Sequence, residues 1–342
     1  MNETKADFSP RRRFLAGLLG GRKDRRISVA SPTSIISIEL MDKVGVHFPE
    51  AHLDPRQMAE LAAGGYEVLG FDTIMPQFSV QQEAAALGCE VDWGSPRMMP
   101  DAKTHPVKSV SDVVIPGNIL EKPSMKVVLE AISILRREYG HRVAILGKVM
   151  GPWTICYHMV GVQDFLLMTY TEPEVVKRLL DMYKEVTVAF TNAQLQAGAD
   201  AVVIPDHATG DLVSPQTYQD FLVPVHREML GRIGGPTILH ICGNCADRLH
   251  IFAEEAYDGY HFEWSVDTRE AVKTVNGRLS LVGNINNAQC LLRGTPEDVY
   301  KQARYAIEAG IDILAPECAV PLQTPIDNLK AIVTAAEDGY QA

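Results

Sequence analysis

Short apolar runs alternate with longer amphipathic stretches along most of the chain. Eight runs read as buried strands: 26–31, 70–77, 143–149, 201–205, 236–241, 259–263, 279–283 and 311–315. Between them the apolar positions recur at helical spacing. Helices are expected from Asp54-Pro55 to 63, over 124–139 and 173–196, and from Ser214-Pro215 onward. Further helices are expected over 246–256, 268–275 and 295–309, and from Thr324-Pro325 to 337. Several open on a capping side chain followed by proline, which suits the first helical turn.

Strands that alternate with helices argue for a parallel sheet, and eight such units argue for a closed (β/α)8 barrel, a TIM barrel. An open doubly wound sheet would carry a glycine-rich phosphate turn after its first strand, and 26–33 has none. No linker or internal repeat divides residues 1–342, so one domain is expected. Two features stand outside the alternation. Residues 80–116, after the second strand, are rich in Gly, Pro and Asp and read as an irregular insertion over one end of the barrel. Residues 1–25 form an N-terminal helical extension. Its Ser9-Pro10-Arg11-Arg12-Arg13-Phe14-Leu15 run looks like a twin-arginine export signal. The apolar stretch behind it is too short, because Gly20 and Gly21 follow at once. The better reading is an amphipathic helix packed on the domain through Phe14, Leu15, Leu18 and Leu19.

Composition narrows the function. With 32 basic and 43 acidic residues the net charge is −11, which disfavours nucleic-acid binding. No apolar run approaches the length of a membrane helix, so no membrane partner is expected. The six cysteines are scattered over 342 residues, a pattern that suits a reducing cytoplasm rather than a disulfide framework.

Candidate chemistry clusters at strand ends, where (β/α)8 enzymes place their catalytic groups. His240 and Cys242 lie two apart at the end of the fifth strand and so face the same side. Glu263 ends the sixth strand, Cys318 follows the eighth, Asp206 ends the fourth and Asn284 ends the seventh. Two thiolates, an imidazole and a carboxylate make a tetrahedral zinc set. Ligands so distant in sequence argue for a catalytic rather than a stapling zinc. Asp206 and Asn284 are candidates for hydrogen-bonding substrate, Asp206 also for orienting a ligand; a loop or helix-start role fits Asp206 as well, and a turn before Asn286-Asn287 fits Asn284. Cys245 forms a Cys-x-x-Cys pair with Cys242, but packing at a helix start is the simpler role. Met75, Met150 and Trp153 are either core or an apolar docking face. Tyr218 and Phe221 read as core, as do Cys89, Cys156 and Cys290.

Several segments carry a family resemblance. Gly151-Pro152-Trp153-Thr154, Ser214-Pro215-x-x-Tyr218-x-x-Phe221-x-x-Pro224, His240-x-Cys242 and Pro316-Glu317-Cys318 resemble the uroporphyrinogen decarboxylase superfamily. Within it the chain resembles the methylcobamide:coenzyme M methyltransferases, also through Glu39-Leu40-Met41-Asp42 and Trp93-Gly94. Decarboxylases carry an arginine-bearing M-R-Q-A-G-R segment where this chain has Ser28-Val29-Ala30-Ser31-Pro32-Thr33. The resemblance implies methyl transfer from a methyl-Co(III) corrinoid, carried by a partner corrinoid protein, to a zinc-activated thiol, coenzyme M first. Another thiol or tetrahydrofolate as acceptor, and tetrapyrrole decarboxylation, are the alternatives.

A thiol of pKa about 8.5 is mostly protonated at neutral pH, and zinc removes that proton. Zn²⁺ with two thiolates and a neutral imidazole sums to zero charge. Glu263 or a substrate thiolate as fourth ligand gives the same minus one, so their exchange is nearly charge-neutral. Glu263 is therefore expected as the ligand at rest, or else as a carboxylate orienting His240. A corrin that rides on another protein also calls for a wide mouth, with 80–116 shaping its rim. No arginine at a strand end offers a seat for the coenzyme M sulfonate.

Overall fold

The computed structural model describes residues 8–20 and 26–339. Eight parallel strands form its central sheet: β1 (Ser28–Val29), β2 (Thr73–Ile74), β3 (Ala144–Lys148), β4 (Ala201–Pro205), β5 (Thr237–His240), β6 (Gly259–Phe262), β7 (Ser280–Ile285) and β8 (Ile313–Pro316). Neighbours run β1-β8-β7-β6-β5-β4-β3-β2, so the two ends of the sheet are consecutive strands, as a barrel requires. Few ladder bonds cross that last seam. The Asp72 N–H donates to the Val29 carbonyl at 2.8 Å, the Ser31 N–H to Thr73 Oγ1 at 2.7 Å, and the Val29 N–H to Asp72 Oδ2 at 3.0 Å. Side-chain oxygens thus replace carbonyls along the seam. That is why the expected strands 26–31 and 70–77 contract to two residues each.

Side chains alternate in and out along each strand. Ala144 and Leu146 of β3, Ala201 and Val203 of β4, Ile238 of β5 and Val282 of β7 pack together inside the barrel. Their neighbours Ile145, Val202, Ile204, Leu239 and Leu281 join the shell between sheet and helices. This in-out count places each functional residue discussed below.

The N-terminal helix, Pro10–Leu18, closes the base of the barrel. Ser9 Oγ accepts the Arg12 N–H at 3.3 Å, and Pro10 fits the first turn. Phe14 and Leu18 are fully buried among the inward side chains. Leu19 lies past the helix end and is 53% exposed, so it is not part of the packed face that the sequence suggests. The arginine run ties the helix down. Arg11 pairs with Asp200 at 2.8 Å, and Arg13 and Arg26 both pair with the buried Asp72 at 2.7 Å.

The helices Pro173–Ala197, Thr268–Val275, Pro296–Ala309 and Ile326–Glu337 lie where the periodicity puts them. The expected helix 246–256 is instead a 3₁₀ turn, Ala246–Arg248, followed by Leu249–Phe252. Residues 80–116 are more ordered than expected. They hold a helix Gln82–Ala86, a hairpin of Val91–Asp92 with Asp101–Ala102, and a 3₁₀ turn Val110–Asp112. Two- and three-residue elements show no period to read. Among the described residues no helix is long and apolar enough to cross a membrane.

Candidate metal centre at the barrel mouth

Counting by two from the inward Ile238 brings His240 to the top of the barrel and Cys242 just beyond the strand end. Cys318 reaches the same point from the turn after β8. His240 Nε2 lies 3.1 Å from Cys242 Sγ and 3.5 Å from Cys318 Sγ, and the two sulfurs are 3.4 Å apart. A tetrahedral zinc with bonds of about 2.0–2.3 Å needs donor atoms about 3.5–3.8 Å apart, so this triangle lies at or just inside that spacing. The donor types also fit. His240 Nδ1 faces the His261 carbonyl at 3.2 Å, so the proton sits on Nδ1 and Nε2 presents its lone pair to the thiols. All six cysteines are free.

The two thiols share their protons unequally. The hydrogen bond from Cys242 holds the Cys318 thiol well below its ordinary pKa, against the effect of burial. The same contact, with burial and the charge of Glu263, pushes the Cys242 thiol up.

Two supports of this centre carry no role in the sequence reading. His261 faces inward from β6, stacks on the His240 ring with centroids 4.5 Å apart, and donates from Nε2 to the Pro316 carbonyl at 2.7 Å. Burial pushes its pKa down to about 3, so it is neutral. It thereby fixes the strand end that carries Cys318. Glu317 accepts from the N–H groups of Asn287 at 2.6 Å and Trp264 at 3.0 Å, and burial raises its pKa to about 7. It ties the loops after β6 and β7 to the turn of Cys318. The inward count 259, 261, 263 along β6 was a readable signal for His261.

The other expected site residues fall elsewhere. Glu263 is half-buried at the mouth, and its carboxylate accepts from Ser265 Oγ at 3.1 Å. Among the described residues the group of donor atoms within 4.8 Å of one another comprises His240, Cys242 and Cys318, without Glu263. The alternative of Glu263 orienting His240 is corrected, because the His261 carbonyl occupies Nδ1. Asn284 is buried. It accepts from Thr268 Oγ1 at 2.9 Å and donates to the Val266 carbonyl at 3.1 Å, which pins the loop after β6.

Asp206 has the parity of Val202 and Ile204, so it faces the helices rather than the barrel axis. Its Oδ1 accepts the Thr154 N–H at 2.8 Å, and its Oδ2 bonds His226 Nε2 at 2.9 Å. The helix Pro152–Val160 has Gly151 at its N-cap and no capping side chain of its own, and Asp206 supplies the acceptor from another strand. A Cβ on Gly151 would lie 2.3 Å from Asp206 Cγ, which explains the glycine. His226 also meets Glu255 Oε1 at 3.4 Å and the Tyr218 hydroxyl at 3.1 Å. Burial opposes its charge, but the bonds to Asp206 and Glu255 prevail and push its pKa up to about 9. The shared motifs thus build one buried polar network behind the mouth, with Phe221 against Trp153. Met75, Met150 and Trp153 are buried and are core rather than docking face. Cys245 is buried, with its thiol toward the Cys242 carbonyl at 3.6 Å.

A cavity of about 120 Å³ opens on His240 and Cys318. Val80, Met99 and Pro100 of the insertion form part of its wall, so 80–116 contributes to the rim as expected. Lys148 and His207 line it as well. Lys148, missed in the sequence, has the inward parity of Ala144 and Leu146.

Comparison with known proteins gives the lineage. Residues 9–339 match the family model of uroporphyrinogen decarboxylase (URO-D). The chain is 34% identical to a methylcobamide:CoM methyltransferase of Methanosarcina barkeri, over 98% of this chain and 99% of that one. It is 34% identical to a methylated-thiol–coenzyme M methyltransferase of Methanosarcina mazei, over 97% and 90%. A solved methyltransferase from Methanosarcina mazei superposes with a TM-score of 0.93 at 32% identity, covering 97% of this chain and 99% of its own. Fold, strand-end donors and near-complete alignment agree: the chain belongs to the uroporphyrinogen decarboxylase family, alongside its methylcobamide:CoM methyltransferases.

Proposed function

We propose that the protein transfers a methyl group from a methylated corrinoid protein to a thiol, coenzyme M first, with zinc held by His240, Cys242 and Cys318. The observation that carries the reading is the meeting of one imidazole nitrogen and two sulfurs within 3.5 Å beside a small cavity. Bound there, zinc would hold an incoming thiol as its thiolate at neutral pH. In the reaction the C–Co bond breaks with its electron pair left on cobalt as Co(I), while a sulfur lone pair forms the new S–C bond. The thiol proton leaves to solvent.

The chain's own residues set the stage. The His261 carbonyl accepts the His240 Nδ1–H, and the His261 ring holds the Cys318 turn. Glu263, half-buried at the mouth and close enough for its charge to raise the Cys242 thiol, would be the fourth ligand before substrate arrives. Asp206 and Asn284 act as positioning residues, the first on Thr154 and His226, the second on the loop of Glu263. The relatives' names supply the corrinoid and coenzyme M.

The test is an assay of methylcobalamin with 2-mercaptoethanesulfonate, with and without a zinc chelator. The expected result is chelator-sensitive methylation of the thiol. Full activity in metal-free protein would overturn the metal centre, and metal-independent decarboxylation of a tetrapyrrole would favour the other branch of the family.

A further inference from the structure

Lys148 is a buried cation that no part of the mechanism above uses. It ends β3 facing inward and is 2% exposed. The backbone around it is clamped by one side chain: Gln194 Oε1 accepts the Lys148 N–H at 2.9 Å, and Gln194 Nε2 donates to the Lys148 carbonyl at 2.8 Å. Gly147 makes room for that clamp, since a Cβ there would lie 2.4 Å from Gln194 Oε1. The side chain is thus aimed into the mouth, where it shares one cavity wall system with His240 and Cys318.

Among the described residues no carboxylate lies within ion-pair distance of its ammonium and no side chain or carbonyl takes a hydrogen bond from it. The acidic influences on it are the buried Glu83, whose oxygens are engaged by the Met150 N–H at 2.8 Å and Gln77 Nε2 at 3.4 Å, and the Cys318 thiol across the cavity, which does not bond to it. A buried ammonium with no hydrogen-bonded partner is unfavourable, and such groups mark sites where a ligand supplies the missing acceptor. Thr33 and Ser79 line the same cavity. The cavity, about 120 Å³, is of a size for a small molecule.

We propose that Lys148 seats an anionic group of the substrate, so that the site selects short thiols carrying a negative charge a few bonds from sulfur. This rests on the thiol-alkylating reading of the triad and deepens it. One end of the substrate reaches the metal centre at Cys318 and His240, and the other meets Lys148 across the cavity. The cation at this strand end is a lysine, brought inward by its parity with Ala144 and Leu146, and not an arginine.

The experiment uses the zinc-loaded protein and three two-carbon thiols: 2-mercaptoethanesulfonate, 2-mercaptoethanol and 2-mercaptoethylamine. With methylcobalamin as donor, kcat/KM is expected to be at least about 30-fold higher for the sulfonate than for the neutral thiol, as one buried charge-assisted contact implies, and lowest for the amine. Lys148→Met should collapse the preference, through KM, with zinc content unchanged. Calorimetry with ethanesulfonate, which lacks the thiol, should show binding to the native protein and none to Lys148→Met. A native protein indifferent to thiol charge, or a variant that keeps the preference, overturns the proposal. Should Lys148→Met fail to fold, the native thiol series and ethanesulfonate binding decide alone. Should no thiol be methylated, the reading of the triad falls, while ethanesulfonate binding still decides the role of Lys148.

Discussion

Cys242 and Cys318 are 76 residues apart in sequence, and their sulfurs are 3.4 Å apart in the fold. Cys242→Ala or Cys318→Ala should release the zinc and abolish thiol methylation, measured by elemental analysis and by the methylcobalamin assay. His261→Phe keeps the ring stack but loses the bond to Pro316. It should weaken zinc binding by about tenfold, read by chelator competition. His226 carries a pH signature. Its folded pKa, about 9, lies above the ordinary 6.5. The stabilisation is therefore fully present below pH about 6.5 and is lost as pH rises through about 9, on the order of 3 kcal/mol. Urea midpoints should fall across that window in the native protein, and the slope should flatten in His226→Gln. At this scale His240, Cys242 and Cys318 were legible because spacing and strand ends mark metal donors. Asp206 and Lys148 were misjudged or missed for one shared reason. A residue's position at a strand end says nothing of its direction until parity is counted from a known inward neighbour, and that count turns Asp206 outward and Lys148 inward.

The elements show how one side chain can govern a whole helix. The helix Pro152–Val160 draws its cap from Asp206 on a different strand, and Gly151 is the space that lets the carboxylate approach. Gly151→Ala should force the two apart and destabilise the protein by about 1–3 kcal/mol, checked by chemical denaturation. The long helices were legible from their period, and their starts from Ser214-Pro215 and Thr295-Pro296. The helices Ile38–Val44, Pro152–Val160 and Val162–Thr171 were not. Pro152–Val160 is buried at almost every position, so it shows no polar face to set a period. The hairpin of the insertion was invisible for the opposite reason, with two residues per strand.

For the whole molecule, the alternation of eight strands with helices was enough to read the barrel, because only a parallel sheet accommodates it. What the alternation did not reveal was how the barrel is closed. The base is filled by Phe14 and Leu18 of the N-terminal helix, and the seam between β1 and β2 is stitched by Asp72, Ser31 and Thr73. Phe14→Ala should therefore cost about 3–5 kcal/mol although it lies at the far end of the barrel from the triad, a loss visible in thermal or urea unfolding. With the base closed, the cavity at the opposite end is where the inward His240, Lys148 and Cys318 come together.

X-ray absorption at the zinc edge, recorded on the purified protein before and after adding 2-mercaptoethanesulfonate, tests the central claim most directly. The expected result is a zinc with two sulfurs, one imidazole nitrogen and one oxygen, in which a third sulfur replaces the oxygen when the thiol is added. A protein without stoichiometric zinc, a zinc without sulfur neighbours, or a coordination sphere unchanged by the thiol would contradict it.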